Sequence, residues 1–513
     1  DIVNAASYVG NLTVSGDIDL ITAADTLTGG SGTGDVLSLS LDSNNDDATA
    51  GQLANVSGFE TISFSNDDEV DITLHENNVS DGGSVTINAV NITTQVLTLT
   101  AANETDGSVT VIAAGSGAHQ VTLGNGNDTY TSTSTGNDAV AATGGNNTIS
   151  TGDGADEITA GTGDDTINGQ NGDDVFVFAT ANLNQNDTIN GGAGDDKLRM
   201  SNDAVVVDSD FTNVDSVKTL ETVGDINLTA TLGSAAASAG IDTVTLTDSG
   251  AANTVTVGSG FTSSTLSVTI STDATAGDSV VATNYTGSLT VNASDENMDT
   301  RATTITGGSG SDTVAITVTA DNSIVTSGIT GVETITLTGD NGDTDTSTVT
   351  TADGLVSEDA TLTIDARGMD QAANDAILTF DGSAETDGNF VVLTAGAGAH
   401  SVTLGGGDDT YTGTGSGGTT VTATAGINSI TTGSGADTIT AGSGVDTIAG
   451  GTGADEFVFG SAANGTGDTI TDFVSADDQI SVALDYSSLL SVLLLTQIVP
   501  VLAWMVALLQ RQH

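Results

Sequence analysis

A nine-residue unit recurs in phase along two stretches of this chain, and no other feature limits its fold so tightly. The unit has Gly at position 4, Asp at position 6 and an apolar residue at position 8. In the first stretch the registers 133–141, 142–150, 151–159, 160–168 and 169–177 are contiguous. Clear copies are Thr151-Gly-Asp-Gly-Ala-Asp-Glu-Ile-Thr159, Ala160-Gly-Thr-Gly-Asp-Asp-Thr-Ile-Asn168 and Gly169-Gln-Asn-Gly-Asp-Asp-Val-Phe-Val177. A copy at 123–131 flanks them, and copies at 182–190 and 191–199 follow a four-residue insertion. The second stretch holds 404–412, 432–440, 441–449, 450–458 and 463–471. One Gly-x-Gly-x-Asp means little among 66 glycines. Several in phase mean more, because a flexible Gly/Asp linker has no reason to keep Ile158, Ile167, Phe176, Ile439, Ile448 and Phe457 at position 8.

Each position has a physical reason. The first six residues must turn sharply with positive φ, which Gly tolerates without steric cost. Positions 7–9 then form a very short strand with the position-8 side chain pointing inward. Two nonapeptides complete one coil of a parallel β-roll. Stacked turns present carbonyls and the position-6 carboxylate to an ion between neighbouring coils. The charge balance points the same way. With 68 Asp and Glu against 6 Lys and Arg, the 513-residue chain carries a net charge of −62 and repels itself until something neutralises it. Calcium fits best, because it takes carboxylate and carbonyl oxygens in flexible geometry.

The stretches 123–199 and 404–480 resemble bacterial RTX proteins, whose nonapeptides build a calcium-binding β-helix. The resemblance implies calcium ligands at position 6: Asp156, Asp165, Asp174 and Asp196, then Asp437, Asp446 and Asp455. Asp128, Asp138, Asp187 and Asp468 stand in flanking or irregular registers. The turn glycines of the site are Gly152, Gly154, Gly161, Gly163 and Gly172, then Gly433, Gly435, Gly442, Gly444 and Gly453. Position 6 is instead Asn147, Thr419 and Asn428 in three registers, so the second stretch is expected to bind fewer ions. The strings Leu27-Thr-Gly-Gly-Ser-Gly32, Gly58-Phe-Glu-Thr-Ile62 and Gly331-Val-Glu-Thr-Ile335 look like the long β-helical region of RTX-type surface-layer proteins. Asp468-Thr-Ile-Thr-Asp-Phe473 with Asp477-Asp-Gln-Ile480 resembles the segment that closes many RTX blocks.

Outside the nonapeptides, short alternating runs such as Val36-Leu-Ser-Leu-Ser-Leu41 and Val96-Leu-Thr-Leu-Thr100 read as strands. No useful helical periodicity precedes 487. A longer repeat has a shift of 281: residues 119–178 and 400–459 are identical at 37 of 60 positions. The expected fold is therefore all-β, a parallel β-solenoid with two β-roll blocks in two tandem homologous units. The expected divisions are 1–122 and 123–199 for the first unit, a β-rich connector at 200–286, then 287–403 and 404–486.

Composition excludes several functions. Six cations cannot form the basic surface that nucleic acid requires. Without Cys there is no disulfide framework and no thiolate zinc site. There is no His-Glu-x-x-His motif and no Gly-x-Ser-x-Gly elbow, so no enzyme is expected. Of four histidines, His75, His119, His400 and His513, the duplicated pair His119 and His400 reads as polar residues on a solenoid face. Asp340-Asn-Gly-Asp-Thr-Asp345 lacks the spacing and terminal Glu of an EF-hand and reads as a solvated loop. Mixed residues at positions 3 and 5 argue against an ice-binding rank. The first residue is Asp, and no signal peptide is visible in these residues.

The segment 487–513 breaks the texture. Leu489 to Leu509 is an uncharged apolar run long enough to span a bilayer, and it holds Pro500 and Trp504. A tail anchor, an apolar secretion or assembly segment and a foreign segment all fit it, and the abrupt change of composition favours the last. Membrane contact is expected only if this run is native. The expected function is structural: a secreted calcium protein at the bacterial cell surface that polymerises with itself into a surface layer, sheath or filament, with surface polysaccharide as a further partner. An RTX adhesin fragment is the alternative, ahead of the non-catalytic part of an RTX hydrolase.

Overall fold

A computed structural model describes residues 1–42, 46–247, 250, 252–270, 277–299, 302–319, 323–339, 346–369, 376–460 and 467–482. The apolar run 489–509 and the string 340–345 lie outside the described residues. The fold is an all-β parallel β-solenoid. Its contacts divide it into two compact units, 1–287 and 288–513.

In the first unit, one parallel sheet runs through Val36–Ser40, Thr61–Phe64, Ser84–Ala89, Ser108–Gly115, Thr129–Ser134, Thr148–Ser150, Thr166–Asn168 and Thr188–Asn190. A second runs through Leu97–Thr100, Gln120–Thr122, Ala139–Ala141, Glu157–Thr159, Val175–Phe178 and Lys197–Met200. Pairing is in register, so like stacks on like. Ile149 lies beside Ile167 and Ile167 beside Ile189. Val140, Ile158, Phe176 and Leu198 form the facing column. All seven are at most 1% exposed. A three-residue strand has only one inward position, which is why position 8 must be apolar. Burying each such side chain is worth about 1.5–3 kcal/mol.

Coil length separates two textures. Thr148 and Thr166 are register partners 18 residues apart, two nonapeptides per coil. Val36 and Thr61 are partners 25 residues apart. These longer coils carry strands of up to eight residues and longer turns. The stretch 200–286 is built the same way, since Lys197–Met200 pairs with Thr219–Thr222, which pairs with Thr243–Thr245. It stacks directly on the first β-roll. It also holds a helix the spacing does not predict, Ser234–Ala239, closed by Gly240 at φ 101°. The Asp208 carboxylate accepts the N–H groups of Gly233 and Ala236, which is why so short an Ala-rich segment turns helical.

The second unit repeats the plan. Asn389–Thr394, Thr410–Gly413, Ser429–Thr431 and Thr447–Ala449 form one sheet. Ser401–Thr403, Thr420–Thr422, Thr438–Ala441, Glu456–Phe459 and Gln479–Val482 form the other. Ile439 stacks on Phe457, and Ile430 on Ile448.

Candidate calcium sites

The position-6 carboxylates form ladders between coils. The Asp138 N–H donates to Asp156 Oδ1 at 2.6 Å, the Asp156 N–H to Asp174 Oδ1 at 2.9 Å, and the Asp174 N–H to Asp196 Oδ1 at 2.9 Å. The other edge of the roll runs from the Asn147 N–H to Asp165 Oδ1 (2.8 Å) and from the Asp165 N–H to Asp187 Oδ1 (2.9 Å). In the second unit Asp437 accepts from Thr419 (2.7 Å), Asp455 from Asp437 (3.0 Å), Asp446 from Asn428 (2.8 Å) and Asp468 from Asp446 (2.9 Å). One carboxylate oxygen of each Asp thus links two coils.

The second oxygen is different. In Asp128, Asp156, Asp165, Asp174, Asp196, Asp409, Asp437, Asp446, Asp455 and Asp468, Oδ2 is buried and has no hydrogen-bond partner among the described residues. All but Asp468 are 2% exposed or less. An unsatisfied buried acceptor costs about 1–3 kcal/mol, and more when charged. Ten such atoms in repeat register mark places for a cation.

Four internal comparisons support that reading. Asn147 occupies position 6 with the same Oδ1 link, accepting from the Asp128 N–H at 3.0 Å. Its Nδ2 donates to Gly145 O (3.1 Å) and Asp165 Oδ1 (3.0 Å), so an amide N–H₂ supplies the positive hydrogens that the Asp turns lack. Asn428 does the same with Ala425 O and Asp446 Oδ1, both at 3.0 Å. In the longer coils, Asp35 links Leu12 through Oδ1, but its Oδ2 accepts the Gly30 N–H at 2.6 Å; Asp312 repeats this with Leu289 and Gly308. After the last nonapeptide of the first block, the Lys218 ammonium donates to Gly194 O at 2.8 Å and pairs with Asp195. Where a donor reaches the second oxygen, as at Asp35 and Asp312, the carboxylate is satisfied; Lys218 reaches the turn carbonyl and Asp195 but leaves Asp196 Oδ2 an orphan.

The glycines shape the same space. Position-4 glycines Gly154, Gly163, Gly172, Gly444 and Gly453 have φ between 128° and 150°. A Cβ on Gly172 would lie 1.6 Å from Gly154 O, so coils could not stack. Gly435 shows no positive φ, but a Cβ there would meet Gly417 O at 2.3 Å. The position-2 glycines Gly152, Gly161, Gly433 and Gly442 also back onto the neighbouring coil, with built Cβ contacts of 2.1–2.7 Å. At position 1 a Cβ on Gly169 or Gly450 would strike the orphan oxygen of Asp174 or Asp455, at 2.1 and 2.5 Å. These glycines keep the space beside Oδ2 open.

Burial raises the carboxyl pKa values, and neighbouring carboxylates add to it. Asp156 is pushed up to about 6, Asp174 to about 7 and Asp409 to about 6. Asp187 is pushed up to about 6, again chiefly by burial. Burial thus shifts these groups toward the protonated form.

The position-6 acids predicted from the register all lie on the ladders, but two are not orphans. Asp138 Oδ2 accepts the Tyr130 hydroxyl at 2.7 Å, and Asp187 Oδ2 accepts the Asn184 N–H at 2.8 Å. Asp409, which is not among the ligands predicted above, is also orphaned, and the register 404–412 places it at position 6. With these changes the orphans number five in each unit among the described residues, so the expectation of fewer ions in the second block loses its basis. Counting Asp at position 6 cannot see a tyrosine hydroxyl that satisfies one of them. Nonapeptide spacing also misses Glu104, which is fully buried, has a partnerless Oε2 and adds to the raised pKa of Asp128. In its counterpart Glu385, Oε2 instead accepts the Val356 N–H at 3.2 Å.

His119 and His400 are not on a solenoid face. They are 0% and 4% exposed. His119 Nδ1 accepts the Leu97 N–H at 3.1 Å and Nε2 donates to Ala114 O at 3.3 Å; His400 does likewise with Leu378 and Ala395. The imidazole stands at the position-6 level, bonded on both sides by backbone.

The family model of the RTX calcium-binding nonapeptide repeat matches four stretches, 132–167, 150–179, 183–199 and 422–457. The chain thus carries RTX calcium-binding nonapeptide repeats over about a fifth of its length. No curated protein matches it. Such repeats bind calcium, and the orphan carboxylates fit that ion. They would hold it through Oδ2 and adjoining turn carbonyls, where it supplies fixed positive charge that neutral donors supply elsewhere.

Asp156→Asn should lower the number of calcium ions bound per chain in equilibrium dialysis, whereas Asp138→Asn should leave it unchanged. Equal losses would contradict the distinction. The raised pKa values set a pH dependence. A carboxyl whose folded pKa exceeds its unfolded value of about 3.9 contributes stability below that value and loses it as pH rises. In chelator, thermal stability by circular dichroism should therefore fall as pH rises from 4.5 and level off above the values of about 6 to 7 for Asp156, Asp174, Asp187 and Asp409. Saturating calcium should flatten that fall, and a rise with pH in chelator would contradict it.

Proposed function

We propose that this is a secreted structural protein that folds on calcium and assembles with further copies of itself into an extracellular surface layer, sheath or filament. The observation that carries the calcium part is the repeat-register set of buried partnerless carboxylate oxygens. A chain without Cys and with net charge −62 stays extended where calcium is scarce, which suits export before folding. Millimolar calcium outside would convert binding energy into folding energy.

Assembly draws support from the outer surface of the turns. Asp153, Asp164, Asp173 and Asp195 are exposed beside the buried ladder. Such columns repel between copies until a divalent ion bridges them. A solenoid of stacked parallel coils is a module typical of non-catalytic roles. His119 and His400 fit that role, since both ring nitrogens of each are engaged by backbone. Surface polysaccharide is the proposed anchor.

Light scattering and electron microscopy of the purified chain, in chelator and in millimolar calcium, test the assembly. Ordered polymers that form with calcium and dissolve in chelator are expected. A calcium-folded monomer that stays monodisperse at milligrams per millilitre would turn the reading to the adhesin.

A further inference from the structure

We infer that Asp17, Asp19 and Asp46 form a calcium site of their own, in the first coils of the chain and outside every nonapeptide. Asp17 ends the strand Thr13–Asp17, Asp19 lies in the short turn Ile18–Leu20, and Asp46 opens the strand Asp46–Ala48. One carboxylate oxygen from each lies within 4.8 Å of the other two. Calcium–oxygen distances of about 2.3–2.6 Å put ligands of one ion at most about 5 Å apart, so one ion can reach all three.

A cluster of acids alone would prove nothing, but Asp46 adds an independent observation. It is 2% exposed. Its Oδ1 accepts the Asp42 N–H at 3.0 Å, while its buried Oδ2 has no hydrogen-bond partner among the described residues. This is the signature of the nonapeptide acids, reached by a different route. Asp46 lies in a longer coil, and two of its companions come from a neighbouring one.

Among the described residues no Lys or Arg pairs with these three acids. The first 196 residues contain no Lys or Arg. The N-terminal amine pairs with Asp25. With no Cys and no His in the cluster, the donor set is all oxygen and favours a hard ion. Asp19 is exposed, leaving water positions open, which suits the variable coordination of calcium better than a closed octahedral cage. Bound there, the ion would fasten the strand that begins at Asp46 to the turn at Ile18–Leu20.

Hydrogen exchange of the full chain, read by mass spectrometry across a calcium titration, tests the site. Peptides covering 13–21 and 46–53 report on it, and peptides covering 151–177 report on the nonapeptides. Asp19→Asn should raise the calcium midpoint of the first set at least about tenfold and leave the second set unmoved. Asp19 is exposed and its carboxylate accepts from no backbone group among the described residues, so this variant is expected to fold even if Asp46→Asn does not. In chelator, protection of the first set should be no lower in Asp19→Asn than in the parent. The proposal is overturned if the midpoint does not move, if both sets move together, or if protection at 13–21 is lost already in chelator. Failure of the 151–177 peptides to respond to calcium would instead count against the nonapeptide reading alone.

Discussion

One buried carboxylate per nonapeptide governs this structure. Its first oxygen must accept a backbone N–H from the previous coil, because the turn leaves that donor no strand partner. That requirement draws the charge inside, where its second oxygen meets neither water nor a donor. The fold can settle this conflict with a proton, a neutral amide, an ammonium or a metal ion. Asn147 and Asn428 show the amide solution, and Asp35 and Asp312 a nearby backbone N–H. The remaining turns are left for calcium, with protons as the competing ligand.

This arrangement ties folding to the surroundings of the chain. Each ion bound only by the folded state adds stability, about 2.7 kcal/mol at a hundred times its dissociation constant. Several sites acting on adjacent coils make the change steep, since each coil rests on its neighbours. The longer coils hold more internal partners, since Glu60 Oε2 accepts the Asp35 N–H and Asp35 O accepts the Glu60 N–H. The two textures of the chain therefore carry different dependence on calcium, and the proposed site at Asp46 extends that dependence into the first coils.

Much of this was legible in the sequence. A period of nine with Gly at 4, Asp at 6 and Ile or Phe at 8 dictates turn, ligand and core together, and the coils follow it. The fate of each second oxygen was not legible. Tyr130 reaches Asp138 from eight residues upstream, and Asn184 closes on Asp187 within the irregular register that follows the four-residue insertion. His119 looked like a surface residue because its neighbours are polar, yet stacking places its ring where two backbone groups need partners. Asp17, Asp19 and Asp46 stand too far apart in the chain for any motif, and only the coil geometry brings them together.

Crystals of the calcium-loaded protein, analysed for anomalous scattering from the ion, test the central claim most directly. The account predicts calcium about 2.3–2.6 Å from Oδ2 of Asp156, Asp165 and Asp174, and none on the side-chain amides of Asn147 and Asn428. Ordered nonapeptide coils in saturating calcium with no ion beside those three oxygens would contradict it.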